Sequence, residues 1–250
     1  MLICLLGSFR VLKNGRQVDI RPGGKVEALL TQLALRSTDG VRRDEILELL
    51  WPSSDAQLAT RSLNTLVYTV HRTVGDALEG ASPIIKVSGR YRLNSGSGVA
   101  VDTLRFEAAV DEGDRFARSG EALSALDEYE RAIRLYTGDL AVATDVSQIL
   151  ERERLRARYL SLWSRRADQY FSSGNYSGAL SSALVLMEKD PCREDAHRMA
   201  MRCYVRLAMR AQALRQYRLC CSILALEFQV EPEPSTVELF ELIRNSPAEV

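Results

Sequence analysis

The sequence predicts an α+β N-terminal domain of winged-helix type followed by an all-α, tetratricopeptide-like helical repeat domain. Three observations carry this. The first hundred residues order themselves as strands, three helical patterns and a closing hairpin pattern. A run of small residues, Asn94-Ser95-Gly96-Ser97-Gly98, then interrupts the chain. Beyond it the apolar spacing is helical almost throughout, and one set of residues recurs at a fixed period. The 250 residues suit two domains, placed at 1–96 and 101–246.

Leu2–Leu6 and Phe9–Leu12 are apolar-rich runs broken by Gly7-Ser8. Asn14-Gly15 is a tight-turn signal between Phe9–Lys13 and Arg16–Ile20, because both residues tolerate positive φ. Val26, Leu29, Leu30, Leu33 and Ala34 follow helical spacing, and Ser37-Thr38-Asp39-Gly40 stops that helix. A short second helix holds Ile46, Leu47, Leu49, Leu50 and Trp51, with Asp44 and Glu45 suiting the positive end of its dipole and Pro52 closing it. The third runs from about Ala56 to Leu78, with Leu63, Leu66, Val67, Val70 and Val74 within ~100° of one another around the axis. Ile84–Val87, Ser88-Gly89-Arg90 and Tyr91–Leu93 read as a hairpin with a basic tip. That order is a winged helix, a variant of helix-turn-helix. The small-residue run after it reads as a flexible boundary.

From Val101 onward, helical patterns cover roughly 103–118, 121–137, 148–173, 176–189, 193–208, 210–226 and 235–244. Tyr170, Gly174, Ala179 and Leu180 return as Tyr204, Ala208, Ala213 and Leu214, each 34 residues later. Phe116, Gly120, Ala125 and Leu126 match the same set 54 residues earlier, as if a segment around Thr137–Ile149 had been inserted. Small residues let paired helices approach closely, and the aromatics fill the holes beside them. Asp190-Pro191 ends one helix and starts the next.

Composition excludes several classes. With 46% hydrophobic and 26% charged residues the chain is neither disordered nor membrane-spanning, and Met1–Leu6 is too short for a signal segment. Five cysteines with no paired metal spacing suit a reducing cytoplasm and small buried apolar positions. His71 and His197 are too few for a histidine-rich metal site and are expected on helix surfaces or in packing. Phosphate-cradling Gly-rich loops and nucleophile elbows do not occur, so neither enzyme chemistry nor a cofactor is expected. The net charge of zero hides an asymmetry. Residues 1–100 hold 13 Lys and Arg against 9 Asp and Glu, so any anion-binding surface belongs there.

The third helix is the candidate. Opposite its apolar stripe lie Arg61, Thr65, Tyr68 and Arg72, flanked by Asn64 and Thr69, and no acid stands between Thr60 and Gly75. Such a face can read base edges: arginine suits guanine, asparagine suits adenine, and threonine or tyrosine can touch a thymine methyl or a phosphate. Arg90 at the hairpin tip would enter a minor groove or grip phosphate. Arg42 and Arg43 could hold phosphate beside the N-terminal amides of the second helix.

Taken together, the chain resembles the Streptomyces antibiotic regulatory protein type of bacterial activator along nearly its whole length. Leu5-Leu6-Gly7-Ser8-Phe9-Arg10-Val11, Ile46–Trp51-Pro52 and Gly89-Arg90-Tyr91-Arg92-Leu93 look like the winged helix of OmpR-type regulators. Tyr136-Thr137-Gly138-Asp139-Leu140, Glu151-Arg152-Glu153-Arg154-Leu155, Asp190-Pro191-Cys192-Arg193-Glu194-Asp195-Ala196-His197-Arg198, Ala213-Leu214-Arg215-Gln216-Tyr217 and Val230-Glu231-Pro232-Glu233-Pro234 look like its bacterial transcriptional activation domain. The resemblance implies a cytoplasmic activator that binds direct repeats in double-stranded promoter DNA, as a homodimer at least on DNA, and recruits RNA polymerase. It also implies a polymerase contact in the loop Pro52, Ser53, Ser54 and Asp55. Two positions depart from the family: Tyr68 and Thr69 stand where arginines are common, and Met209-Arg210 replaces a glycine-containing turn. The chain carries neither the ATPase module that larger members append nor a receiver domain. An alternative stays open, a helical-repeat scaffold or adaptor whose winged helix binds protein.

Overall fold

The computed structural model describes residues 1–141 and 145–247. They pack as two units, Met1–Ala109 with the described part of Arg131–Leu155, and Val110–Glu130 with the described residues from Arg156 onward. The first unit contains β1 (Leu2–Cys4), β2 (Arg10–Lys13), β3 (Arg16–Val18), α1 (Lys25–Leu35), β4 (Val41–Arg42), α2 (Arg43–Leu50), α3 (Ala56–Val74), β5 (Ile84–Val87), β6 (Arg90–Leu93) and β7 (Ala100–Val101). One sheet has the order β3-β2-β1-β7 and the other β4-β6-β5. The first hairpin closes on the expected pair, and the second turn is one residue shorter than read, so that Arg90 is a strand residue. Asn14 and Gly15 have φ of 49° and 79°, and Ser88 and Gly89 have φ of 51° and 77°. Positive φ at both turn residues matches the strand twist, which fixes Lys13 opposite Arg16 and Val87 opposite Arg90.

Three further features differ from the sequence reading. The third helix stops at Val74, and Gly75–Leu78 continues as a 3-10 turn. Gly75 lies under His71, where a Cβ would stand 3.0 Å from the imidazole. Strands β4 and β7 escape a periodicity argument because each has only two residues. The segment Asn94–Gly98, expected to be flexible, is a stitched turn. Asn94 takes its backbone N–H to Pro83 O at 2.9 Å and its side-chain amide to Ser82 O at 2.9 Å. Ala100 N–H then donates to Met1 O at 3.0 Å, and β7 pairs in parallel with β1.

That pairing delivers Asp102, the first residue of α4 (Asp102–Ser119), beneath the end of β1. Its buried carboxylate accepts the N–H groups of Leu5 (2.8 Å), Leu6 (3.0 Å) and Thr103 (2.8 Å). Burial pushes this carboxyl up, against the pull of the three N–H donors. The chain after α5 (Ala122–Leu135) returns to the same place. Thr137 Oγ1 donates to Leu6 O at 2.7 Å, Gly7 N–H to Asp139 O at 2.9 Å, and Ala141 N–H to Leu5 O at 2.8 Å. Gly138 approaches Gly7 so closely that a Cβ would stand 2.8 Å from the Gly7 Cα. The Tyr136–Leu140 segment is therefore the edge partner of β1's continuation, and Phe106, fully buried, packs on Tyr136 at 5.4 Å between ring centroids.

Helix α6 (Val146–Ser172) begins in the first unit and ends in the second, where α7 (Tyr176–Lys189), α8 (Glu194–Arg206), α9 (Arg210–Glu227) and α10 (Pro234–Asn245) follow. The repeat seen in sequence is a repeated turn. The N–H groups of Glu121, Asn175 and Met209 donate to Phe116 O, Tyr170 O and Tyr204 O at 2.9, 2.8 and 2.7 Å. The residue before each donor is left-handed: Gly120 (φ 82°), Gly174 (φ 79°) and Ala208 (φ 59°). In the third turn an alanine, directly before Met209-Arg210, holds the left-handed position that glycine fills in the other two. Ala167, Ala179, Ala183, Ala200 and Cys203 form one buried cluster, edged by Tyr170 and Tyr204. Burial pushes the Cys203 and Cys220 thiols up to about 11 and about 12, which keeps them protonated and inert.

Candidate nucleic-acid interface

Asp55 starts α3 as its N-cap, with Oδ1 accepting the N–H groups of Gln57 (2.9 Å) and Leu58 (3.2 Å). Ala59, Leu63, Val70 and Val74 are buried along one side. That fixes the rotation of the helix and turns Arg61, Asn64, Thr65, Tyr68, Thr69 and Arg72 outward, all exposed. Tyr68 is 63% exposed, so its ring belongs to no core. Among the described residues neither Arg61 nor Arg72 has an ion-pair partner, and neither does any acid face them from within α3.

The threonines are less free. Thr60, Thr65, Thr69 and Thr73 each donate the hydroxyl to the carbonyl four residues back, at 2.7, 3.0, 2.8 and 2.8 Å. With its proton committed, each presents a methyl group and acceptor lone pairs, not a donor.

The other predicted residues divide. Arg43 reaches Thr60 Oγ1, which brings its guanidinium beside Arg61, and both line a shallow depression with Ala56 and Gln57. Arg42 is held by Glu45, with Nε to Oε1 at 2.8 Å, and Glu45 also pairs with Arg36 at 2.8 Å. The hydrogen bond from Arg42, with smaller help from Arg36, holds the Glu45 carboxyl below the usual carboxylate range. Arg90 is not the tip of the hairpin, which is Ser88-Gly89. It begins β6, is half-buried, and turns its Nη1 back to Gly40 O at 3.2 Å. Pro52, Ser53 and Ser54 are exposed, and Asp55 has the capping role just described.

Sequence reasoning did not place Gln57, Thr73 or Lys86 among the DNA-facing residues, and all three are exposed. Gln57 and Thr73 extend the row 61, 65, 69 by one turn at each end, so helical spacing could have found them. Lys86 lies on β5 with its ammonium 5.8 Å from the Tyr91 ring, and only the pairing of Lys86 with Tyr91 reveals it.

Residues 101–244 match the family described as the bacterial transcriptional activator domain. The chain belongs to that family. Activator-domain relatives include the regulatory protein AfsR of Streptomyces coelicolor, 25% identical over 240 residues, which cover 96% of this chain and 24% of AfsR. The transcriptional regulatory protein MoaR1 of Mycobacterium tuberculosis is 26% identical over 224 residues, or 88% of this chain and 71% of MoaR1. These relatives bear out the resemblance to regulators of the Streptomyces antibiotic regulatory protein type. This activator-domain chain spans about a quarter of AfsR's length. Among solved structures, Mycobacterium tuberculosis EmbR in complex with a low-affinity phosphopeptide has the same fold, with a TM-score of 0.75 and 20% identity across 97% of this chain and 64% of that one. No described helix is long and apolar enough to cross a membrane.

Proposed function

We propose that this chain is a sequence-specific DNA-binding transcriptional activator whose first unit acts as a winged helix. The observation that carries the reading is the outward face of α3, where two unpaired arginines, an asparagine and an exposed tyrosine stand without an acid among them. Helix α3 enters the major groove and the β5–β6 hairpin is the wing. Arg61 and Arg72 read guanine or grip phosphate, and Asn64 reads adenine. Thr65 and Thr69 offer methyl groups to thymine, since their hydroxyl protons are spent within the helix. Arg43 and Arg61 together clamp one phosphate at the N-terminal end of α3. Arg42 and Arg90, tied to Glu45 and to Gly40, reach phosphate only after exchanging those partners.

The family supports the rest of the reading: a cytoplasmic homodimer, at least on DNA, on direct promoter repeats spaced ~10–11 base pairs apart, and a polymerase contact at Pro52–Asp55. The two engaged arginines are the observation that favours the alternative, an adaptor whose α3 face binds protein.

The test is a salt-series binding assay against the protein's own upstream region and a scrambled duplex of equal length. The activator reading expects selective binding with a log–log salt slope of about −0.9 per phosphate neutralised, weakened by Arg72→Ala. Equal weak binding to both duplexes, indifferent to Arg72→Ala, would sink it and favour the adaptor.

A further inference from the structure

Behind α3 the first unit holds a cavity of about 310 Å³ that the DNA reading leaves unused. Ile20, Val26, Leu30, Leu66, Val70 and Val74 line it from the β3–α1 connection, α1 and α3. A cavity of this size lies at the lower end of the range for small-molecule sites, and its lining is the mostly apolar kind such sites use. Three exposed charged side chains also line it, Arg21, Lys25 and Asp19. Two are cations and one is an acid. Gly24, on the same wall, is the N-cap of α1 and has no side chain to cap it. Glu27, outside the lining, accepts the Gly23 N–H at 2.7 Å and offsets part of the positive charge that the first-turn amides add on the side of the cations. Lys25 stands over the Trp51 ring at 4.4 Å, which positions the ammonium without neutralising it.

We infer that this cavity is a binding site for a small apolar molecule carrying one carboxylate. The apolar body lies against Leu66, Val70 and Val74, and the carboxylate meets Arg21, Lys25 and the start of α1. The charge balance selects the sign. Among the lining residues an amine would find only Asp19, with two cations opposing it. Thr69 and Thr73 belong both to the cavity wall and to the outer row of α3. A bound ligand would therefore press on the helix proposed to read DNA, and by linkage DNA would change the ligand's affinity by the same factor. Only that consequence rests on the DNA reading; the site itself does not.

Isothermal titration of the whole chain without DNA tests it, with octanoate, octylammonium and octan-1-ol as probes. The inference expects saturable one-to-one binding of octanoate and binding of octylammonium at least tenfold weaker, with octanol between them. The Arg21→Gln/Lys25→Gln double variant, altered only at exposed positions, should weaken octanoate at least tenfold while leaving octanol within twofold. Thr73→Phe, which fills the cavity from its exposed side, should abolish binding of all three. Absence of saturable octanoate binding, octylammonium binding as tightly as octanoate, or an unchanged octanoate affinity in the double variant would each overturn the assignment. Because no DNA is present, such a failure is separable from a failure of the promoter-binding assay.

Discussion

Helices α3 and α8 are both strongly amphipathic, yet the groups at the centre of their polar faces have opposite fates. On α8, Glu194, His197 and Arg198 are engaged within the chain, while Arg202 and Arg206 stay exposed. Glu194 accepts the Glu233 N–H at 2.9 Å and the Thr236 hydroxyl at 2.6 Å, so its carboxylate holds the start of α10. Arg198 donates to Glu233 at 2.9 Å and Thr236 at 2.8 Å. His197, fully buried, donates from Nε2 to Pro191 O at 2.9 Å and accepts at Nδ1 from Gln216 at 2.8 Å. On α3 the arginines, the asparagine and the tyrosine face outward with no such partners among the described residues. A polar side chain that is already satisfied contributes to folding, and one left exposed and unpaired is available to a second molecule.

The sharpest way to test that contrast is to remove the same kind of group from each helix. Glu194→Ala removes the acceptor of the Glu233 N–H and of the Thr236 hydroxyl at the start of α10, so a loss of about 2–3 kcal/mol in denaturant unfolding is expected. DNA affinity per folded molecule should stay within about twofold. Arg72→Ala should do the reverse, costing about 1–3 kcal/mol of promoter binding, with stability unchanged within about 0.5 kcal/mol. If Arg72→Ala unfolded the protein, or Glu194→Ala abolished binding in a fully folded sample, the division between the two faces would collapse.

How much of this was legible beforehand depends on the physics of each element. Helices α4 to α10 were readable to within two or three residues at each end, because each buries a stripe at helical spacing. The Asn14-Gly15 turn was readable because positive φ constrains residue type, while the second turn was read one residue too long, with Arg90 placed at its tip. Strands β4 and β7 were not, since two residues carry no period. The role of Asn94–Gly98 was not either: a small-residue run is compatible with a linker or a tight turn, and only the pairing of β7 with β1 decides. On the candidate interface, helical spacing identified the outward residues of α3 in advance. What it could not show was the commitment of Arg90 to Gly40, 50 residues away, which only the sheet brings near; the Arg42–Glu45 pair, at i,i+3, was within reach of helical spacing and was passed over.

Smaller effects sharpen the same comparison at single atoms. Just past α8, Ala208 holds a left-handed backbone where Gly120 and Gly174 stand in the matching turns. A left-handed alanine costs roughly 1 kcal/mol, offset in part by the greater freedom of glycine when unfolded. Ala208→Gly is therefore expected to stabilise by up to about 1 kcal/mol, read as an upward shift of the denaturation midpoint. A clear loss of stability would mean that the alanine methyl packs in a way the turn geometry does not reveal.

The smallest effect is the most specific to α3. Thr65 donates its hydroxyl to Arg61 O at 3.0 Å, so its proton is unavailable to a phosphate or a base acceptor. Thr65→Val keeps the shape and the methyl contact and removes only a group already used inside the helix. Promoter affinity should change by less than about threefold, whereas Thr65→Ala, which removes the methyl as well, should cost more than Thr65→Val and lose selectivity at one base pair. A tenfold loss from Thr65→Val would show that the hydroxyl leaves Arg61 on binding, and that the free arrangement of the helix is not the one that reads DNA.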